Sequence, residues 1–204
     1  MNYLAHLYLS GENEKTLVGN FIGDYVKGNA FKTYPENIRD GILLHRQIDT
    51  FTDTHPNFRE AKSLFRNEFG LYSGIIVDFF YDHFLASNWY MYSDLSLRSF
   101  AKRAHAILLS NFTILPLRVQ GFLPFLIQNR RLESYANIPG ILESVKIMSI
   151  YSSLPDKTEI AGKLLADNYN FLNENFSGFM IEMIGFVSSY HKIDLQKPDF
   201  AEGA

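Results

Sequence analysis

Apolar residues recur at three- and four-residue spacing along most of the chain, the periodicity of helices that bury one face. Period-two alternation surfaces only briefly, near Tyr3–Leu9, so the pattern predicts an all-α fold. A short helix is expected over Thr16–Tyr25, stopped by Gly28, and Pro35 suits the opening of a longer second helix running through Phe51. Thr54-His55-Pro56 breaks the pattern. A third helix then runs from Pro56 to Phe69 with Gly70 as its stop, and a fourth from Leu71 to Ala86. Further helices are expected over Ser96–Leu109, Leu117–Gln128, Ile138–Tyr151, Lys157–Asn175 and Ser177–His191, with a frayed tail after Pro198. No internal repeat, low-complexity tract or shift of composition marks a second domain, so residues 1–204 read as a single compact multi-helix domain.

Polar positions break this pattern in informative places. On the second helix His45 and Asp49 lie four residues apart, so they share a face and can converge on one ion; Asp53 continues that face. A solvated polar face with an incidental histidine is the other reading. The fourth helix is apolar all round, as Ile75, Ile76, Val77, Phe79, Phe80, Phe84 and Leu85 show, which is the mark of a buried helix. Yet Asp78 and Asp82 share one of its faces, and buried like charges need cations, protons or a metal. Buried salt bridges to nearby arginines such as Arg46 or Arg59 are the structural alternative. His83 points about 100° from Asp82, so the two cannot both be simple ligands of one ion on a regular helix. His6 reads as a hydrogen-bonded core histidine, His55 as a cap of the third helix, and His105 and His191 as structural.

Composition narrows the chemistry. The 204 residues are 47% apolar, enough for a continuous core, and 19 Lys+Arg against 22 Asp+Glu give a net charge of −3, no footprint for nucleic acid. There is no cysteine, so disulfides, thiolate zinc, iron–sulfur clusters and a cysteine nucleophile are excluded, and a metal site must use oxygen and nitrogen ligands. The longest apolar runs, such as Phe122–Ile127, fall far short of the roughly 18–20 residues of a membrane helix. The opening Met1–His6 has neither the basic nor the apolar region of a secretory signal, and a cytoplasmic location is expected. Gly-x-Ser-x-Gly and Gly-x-Gly-x-x-Gly are absent, which argues against serine hydrolase and Rossmann readings, and the Glu-x-x-His pairs of di-iron bundles are absent too.

The blocks Met1–Leu7, Gly19–Asp24, Gly41–Asp49 with His45-Arg46 and Ile48-Asp49, Thr52-Asp53 and Asp82-His83-Phe84 resemble, in order and spacing, the bacterial acyl carrier protein phosphodiesterase family. They cover the first 90 residues. That family is similar to HD-type metal-dependent phosphohydrolases, which implies an HD-domain-like helical fold, a divalent metal (Mn²⁺ first, with Mg²⁺ or Fe²⁺ as alternatives) and holo acyl carrier protein as substrate. The implied reaction is hydrolysis of the phosphodiester joining 4′-phosphopantetheine to a serine. The chain departs from the usual HD pattern: it has no adjacent His-Asp pair, only Asp82-His83 in reverse order.

The candidate ligands are Asp24, His45, Asp49, Asp78 and Asp82, an oxygen and nitrogen set suited to neutralising a phosphodiester and acidifying a water. Arg46 is the candidate for binding phosphate oxygens and His83 for protonating the leaving serine oxygen, with Asp53 as a third catalytic candidate. Arg59, Lys62 and Arg66 fall at i, i+3 and i+7 on the third helix, a basic stripe suited to an acidic carrier protein. Two alternatives remain at this point: a phosphohydrolase of nucleotides or other small phosphodiesters, and a non-catalytic helical interaction module whose Asp/His cluster forms ion pairs.

Overall fold

The short opening segment is helical despite its brief alternation. In the computed structural model, which describes residues 1–196 and 198, Asn2 caps a six-residue helix, α1 (Tyr3–Tyr8), with its side chain accepting from the Tyr3 N–H. So short a helix does not persist alone in water, and its buried Leu4, Ala5 and Leu7 tie its existence to tertiary packing. Asn13 caps α2 (Glu14–Ile22) by accepting from the N–H groups of Lys15 and Thr16, and a 3₁₀ turn, Gly23–Tyr25, follows. Pro35 precedes α3 (Glu36–Thr54). His55 does cap α4 (Pro56–Phe69), its Nδ1 accepting from the Asn57 N–H with Pro56 in the first turn, and α5 (Ser73–Ser87) follows after Gly70.

The second half comprises α6 (Leu97–Ser110), α7 (Leu117–Gln128), the short α8 (Arg131–Ser134), α9 (Ile138–Tyr151), α10 (Thr158–Asp167) and α11 (Tyr169–His191). The fold is all-α, with no strand among the described residues. The expected boundary that moves furthest is the last: the final two helices part at Asn168 rather than near Phe176. Asn168 donates its side-chain amide to the Leu164 carbonyl and closes α10, whereas Ser177 bonds the Asn173 carbonyl one turn back and rides inside α11. The expected fraying after Pro198 lies outside the described residues. No helix among those described is long and apolar enough to cross a membrane.

Helix α5 is the axis of the core. Ile76, Val77, Phe80, Tyr81, Phe84 and Leu85 are fully buried, and α1, α4, α9 and α11 pack around it. At about 1.5–3 kcal/mol for each large apolar side chain, this helix anchors the rest. The most extensive helix pairing is α2 against α3, and glycine permits it: a Cβ on Gly19 would overlap the Ile38 carbonyl oxygen, and one on Gly41 would overlap that of Thr16. This approach brings the end of α2 against the middle of α3, where His45 sits.

Because nothing at that crossing is the far end of a flexible side chain, Gly41→Ala must push the two helices apart. It should destabilise the protein by about 1–3 kcal/mol, lowering the thermal midpoint by roughly 3–10 °C in a circular-dichroism melt. An unchanged midpoint would contradict this account of the α2–α3 contact.

Candidate metal centre

Two imidazoles from different helices meet over one carboxylate. His45 on α3 rests on the backbone of Gly23, where any Cβ would overlap its ring, and its Nδ1–H donates to the Asn20 carbonyl oxygen at 2.8 Å. His6 on α1 stacks against it, with ring centroids 4.0 Å apart and planes 19° from parallel. The His6 Nδ1 lies 2.8 Å from Asn20 Oδ1. The Asn20 amide nitrogen donates to the His6 carbonyl at 2.7 Å and to Ser10 Oγ at 3.0 Å, so its oxygen is the atom facing the imidazole, and the His6 Nδ1–H is the donor.

With both Nδ1–H groups spent on carbonyls, both Nε2 atoms turn toward carboxylates. The His45 Nε2 lies 3.1 Å from Asp49 Oδ2 and 3.5 Å from Asp24 Oδ1, and the His6 Nε2 lies 3.3 Å from Asp49 Oδ1. Both Nε2 atoms are buried without a hydrogen-bond partner. A neutral imidazole would set its lone pair against a carboxylate there, so the arrangement calls for a proton or a metal cation between them. Ligand atoms of His6, His45 and Asp49 lie within 4.8 Å of one another, and a nitrogen, nitrogen, oxygen donor set backed by hydrogen-bonded Nδ1–H groups fits a divalent ion.

Without a metal, one proton serves the pair. Burial works against a charged His45, but the facing carboxylates of Asp24 and Asp49 outweigh it and lift its pKa to about 9. Burial, and then the neighbouring His45, push His6 down to about 4. Burial also opposes an ionised Asp49, yet its contacts with His45 and His6 hold it well below the usual carboxylate range. The contact with His45 likewise lowers Asp24.

The cluster opens into a cavity of about 320 Å³ whose wall carries Asp24, Asp49, Asp53 and Asp78, faced by Ile75, Phe79 and Met148. Burial raises Asp78 to about 6; its Oδ1 lies 3.0 Å from the Met1 amino nitrogen, which is 3.6 Å from Asp49 Oδ1. The structure thus brings together Asp24, His45, Asp49, Asp53 and Asp78 from the sequence reading. It adds His6, set aside there as a core histidine; only the stacking of α1 on α2 places it beside His45, and no spacing in the sequence signals that.

The other six candidates lie elsewhere. Asp82 is fully buried with both oxygens turned to α1: Oδ2 accepts from the Leu4 N–H at 2.8 Å and Oδ1 from the Ala5 N–H at 3.1 Å. Burial raises it to about 7 despite those bonds. It anchors the helix that carries His6. His83 points away, as the 100° step requires, with its Nδ1–H on the Tyr135 carbonyl at 2.8 Å and its Nε2 3.1 Å from the Tyr169 hydroxyl. Arg46, one step round α3 from His45, donates to the carbonyls of Val26 and Gly28 at 2.9 and 2.8 Å and lies over the Phe31 ring, so it pins the loop beyond Asp24. Arg59 donates to the Asp53 carbonyl at 3.3 Å; neither it nor Arg46 pairs with Asp78 or Asp82, so the salt-bridge reading of those acids is not realised. On α4, Arg59 and Arg66 are exposed and Lys62 is half-buried beside Phe58.

The family model described as acyl carrier protein phosphodiesterase matches residues 1–183. The acyl carrier protein phosphodiesterase of Yersinia pestis is 34% identical over 187 residues, spanning 90% of this chain and 96% of the relative. That of Serratia proteamaculans (strain 568) is 34% identical over the same length and shares, and that of Pectobacterium atrosepticum is 35% identical over 151 residues, 74% of this chain and 78% of the relative. No solved structure gives a significant match.

A pKa of about 9 keeps His45 protonated at pH 7.5, and a cation bound at its Nε2 must displace that proton. Uptake of Mn²⁺ should therefore release about one proton per ion at pH 7.5, and apparent affinity should rise with pH until about pH 9. Calorimetry in two buffers of different ionisation enthalpy reads this directly. Binding without proton release would contradict the His45–Asp49 pairing.

Proposed function

The chain belongs to the acyl carrier protein phosphodiesterase family, and from that premise we propose that it hydrolyses the phosphodiester between 4′-phosphopantetheine and a serine of holo acyl carrier protein. Water adds to phosphorus, the bond to the serine oxygen breaks, and that oxygen takes a proton, leaving apo carrier protein and 4′-phosphopantetheine. The whole chain serves as one helical phosphodiesterase domain in this reading. Kinship with HD-type phosphohydrolases is part of it, supported by the all-α scaffold and the His/Asp donor set.

The observation that carries the site assignment is the convergence of His6, His45 and Asp49 beside a cavity walled by aspartates. Four carboxylates repel an anionic phosphodiester unless a cation joins them, so the cavity suits this substrate only when loaded. His6, His45 and Asp49 hold the divalent ion, with Asp24 adjacent; Mn²⁺ is the first choice, and Mg²⁺ or Fe²⁺ the alternatives. Bound there, the ion supplies the Lewis acidity that neutralises the phosphodiester and lowers the pKa of water. Asp78, raised to about 6 by burial, is the cavity carboxylate suited to carrying the proton to the leaving oxygen, a role that the placement of His83 does not support. Asp53 orients water at the outer wall. Arg46 shapes the site by fixing the loop after Asp24, and Asp82 by fixing α1.

The basic stripe of Arg59, Lys62 and Arg66 starts at the rim, since Arg59 grips the carbonyl of Asp53, and it offers an acidic carrier protein a docking face. Lys62→Glu should raise the apparent KM for holo carrier protein roughly fivefold or more while changing turnover little, read from steady-state kinetics. Equal KM values would remove the docking role.

Mass spectrometry of holo acyl carrier protein incubated with the enzyme and Mn²⁺ tests the reaction. Loss of the phosphopantetheine mass is expected with wild type and is expected to vanish with Asp49→Asn or chelator. A wild-type protein that spares the carrier yet cleaves a small phosphodiester would shift the substrate to nucleotides or similar esters, and inertness toward both would favour the interaction module.

A further inference from the structure

Asn20 is fully buried in the last turns of α2, and every polar atom of its side chain is engaged. Its Oδ1 accepts from the His6 Nδ1–H, and its amide nitrogen donates to the His6 carbonyl and to Ser10 Oγ. Ser10 in turn donates to the same His6 carbonyl at 2.7 Å, which closes a small ring of bonds around α1. Its backbone carbonyl, near the end of α2 where carbonyls have lone pairs to spare, accepts from the Gly23 N–H and from the His45 Nδ1–H. One residue thus holds both imidazoles by the nitrogen remote from Asp49.

We propose that Asn20 is a positioning residue of the site, holding His6 through its side-chain carbonyl and His45 through its backbone carbonyl so that both Nε2 atoms converge on Asp49. The functional half of this inference rests on the metal reading given above, while its structural half concerns only the protein. The division of labour has a sharp consequence. Replacing the side chain removes the bonds to His6 and Ser10 and leaves His45 held, because the backbone carbonyl that holds His45 persists in any variant. Asn20→Ala is therefore expected to weaken the ion's binding through His6 and through no other ligand.

The experiment is a double-mutant cycle on Mn²⁺ affinity, measured by calorimetry for wild type, Asn20→Ala, His6→Ala and the double variant. Asn20→Ala should weaken Mn²⁺ binding about 10- to 100-fold, and the double variant should match His6→Ala within about twofold. A loss of equal size in both backgrounds would mean that Asn20 merely supports the fold, and no loss in either would overturn the proposal. A second readout is nitrogen NMR of the imidazoles in the metal-free full chain at pH 7.5. His6 should carry its proton on Nδ1 in wild type and lose that preference in Asn20→Ala, with the His45 Nδ1–H signal retained; an unchanged His6 would overturn the proposal. Where Asn20→Ala fails to fold, Asn20→Asp, which as a buried neutral acid keeps an acceptor for His6 and a donor for the His6 carbonyl, is expected to retain the His6 tautomer and Mn²⁺ binding within about tenfold of wild type. Loss of both in a folded Asn20→Asp protein would count against it. If wild type takes up no Mn²⁺, the metal reading falls and the NMR arm alone decides the role of Asn20.

Discussion

The Asp49 carboxylate faces two buried imidazole nitrogens whose neighbouring Nδ1 protons are already committed to carbonyls, and this confrontation organises the site. Left as neutral rings beside a carboxylate, the two Nε2 atoms would be unpaired in a region of low dielectric, an arrangement that costs free energy. A proton on His45 relieves it in the metal-free chain, and the pKa values of the cluster divide accordingly, with His45 up, His6 down and Asp49 down. A divalent cation relieves it better, since it serves both rings at once. The buried network is strained toward a ligand by its own hydrogen bonds.

Everything nearby serves to hold that geometry. The glycines of α2 and α3 allow the close approach that sets the Asn20 carbonyl against His45, and Gly23 leaves room for the ring itself. Helix α1 is too short to stand alone, so Asp82, at the heart of α5, ties down its first turn through the N–H groups of Leu4 and Ala5. One turn earlier on the same helix, Asp78 faces the cavity. The paired acids of α5 thus divide their work, one securing the helix that brings His6 and the other lining the cavity.

Much of this was legible in the sequence and some was not, for identifiable reasons. Helical periodicity and capping residues located α3, α4, α5, α7 and α9 closely, because each has a local start or stop signal such as Pro35, His55-Pro56 or Gly70. The 3.6-residue repeat also put His45 and Asp49 on one face, where the structure has them. The Asn168 break was hidden because apolar spacing continues through it and only a side-chain bond to Leu164 marks the end. His6 was invisible for a different reason: its membership depends on packing between α1 and α2, which no local rule encodes. Asp82, His83 and Arg46 shared short blocks with site residues, but neighbours in a helix point in different directions, and each turned to a partner outside the cavity. Family resemblance pointed to blocks that contribute to the cluster and could not say which of their side chains meet.

The central claim is that His6, His45 and Asp49 form one divalent-cation site. The most direct measurement is anomalous diffraction from crystals of the protein grown with Mn²⁺, recorded near the manganese edge. The account predicts one strong peak within coordination distance of the His6 Nε2, the His45 Nε2 and an Asp49 oxygen. A peak at Asp82 and His83 instead, or none in a well-ordered crystal with Mn²⁺ in excess, would contradict it.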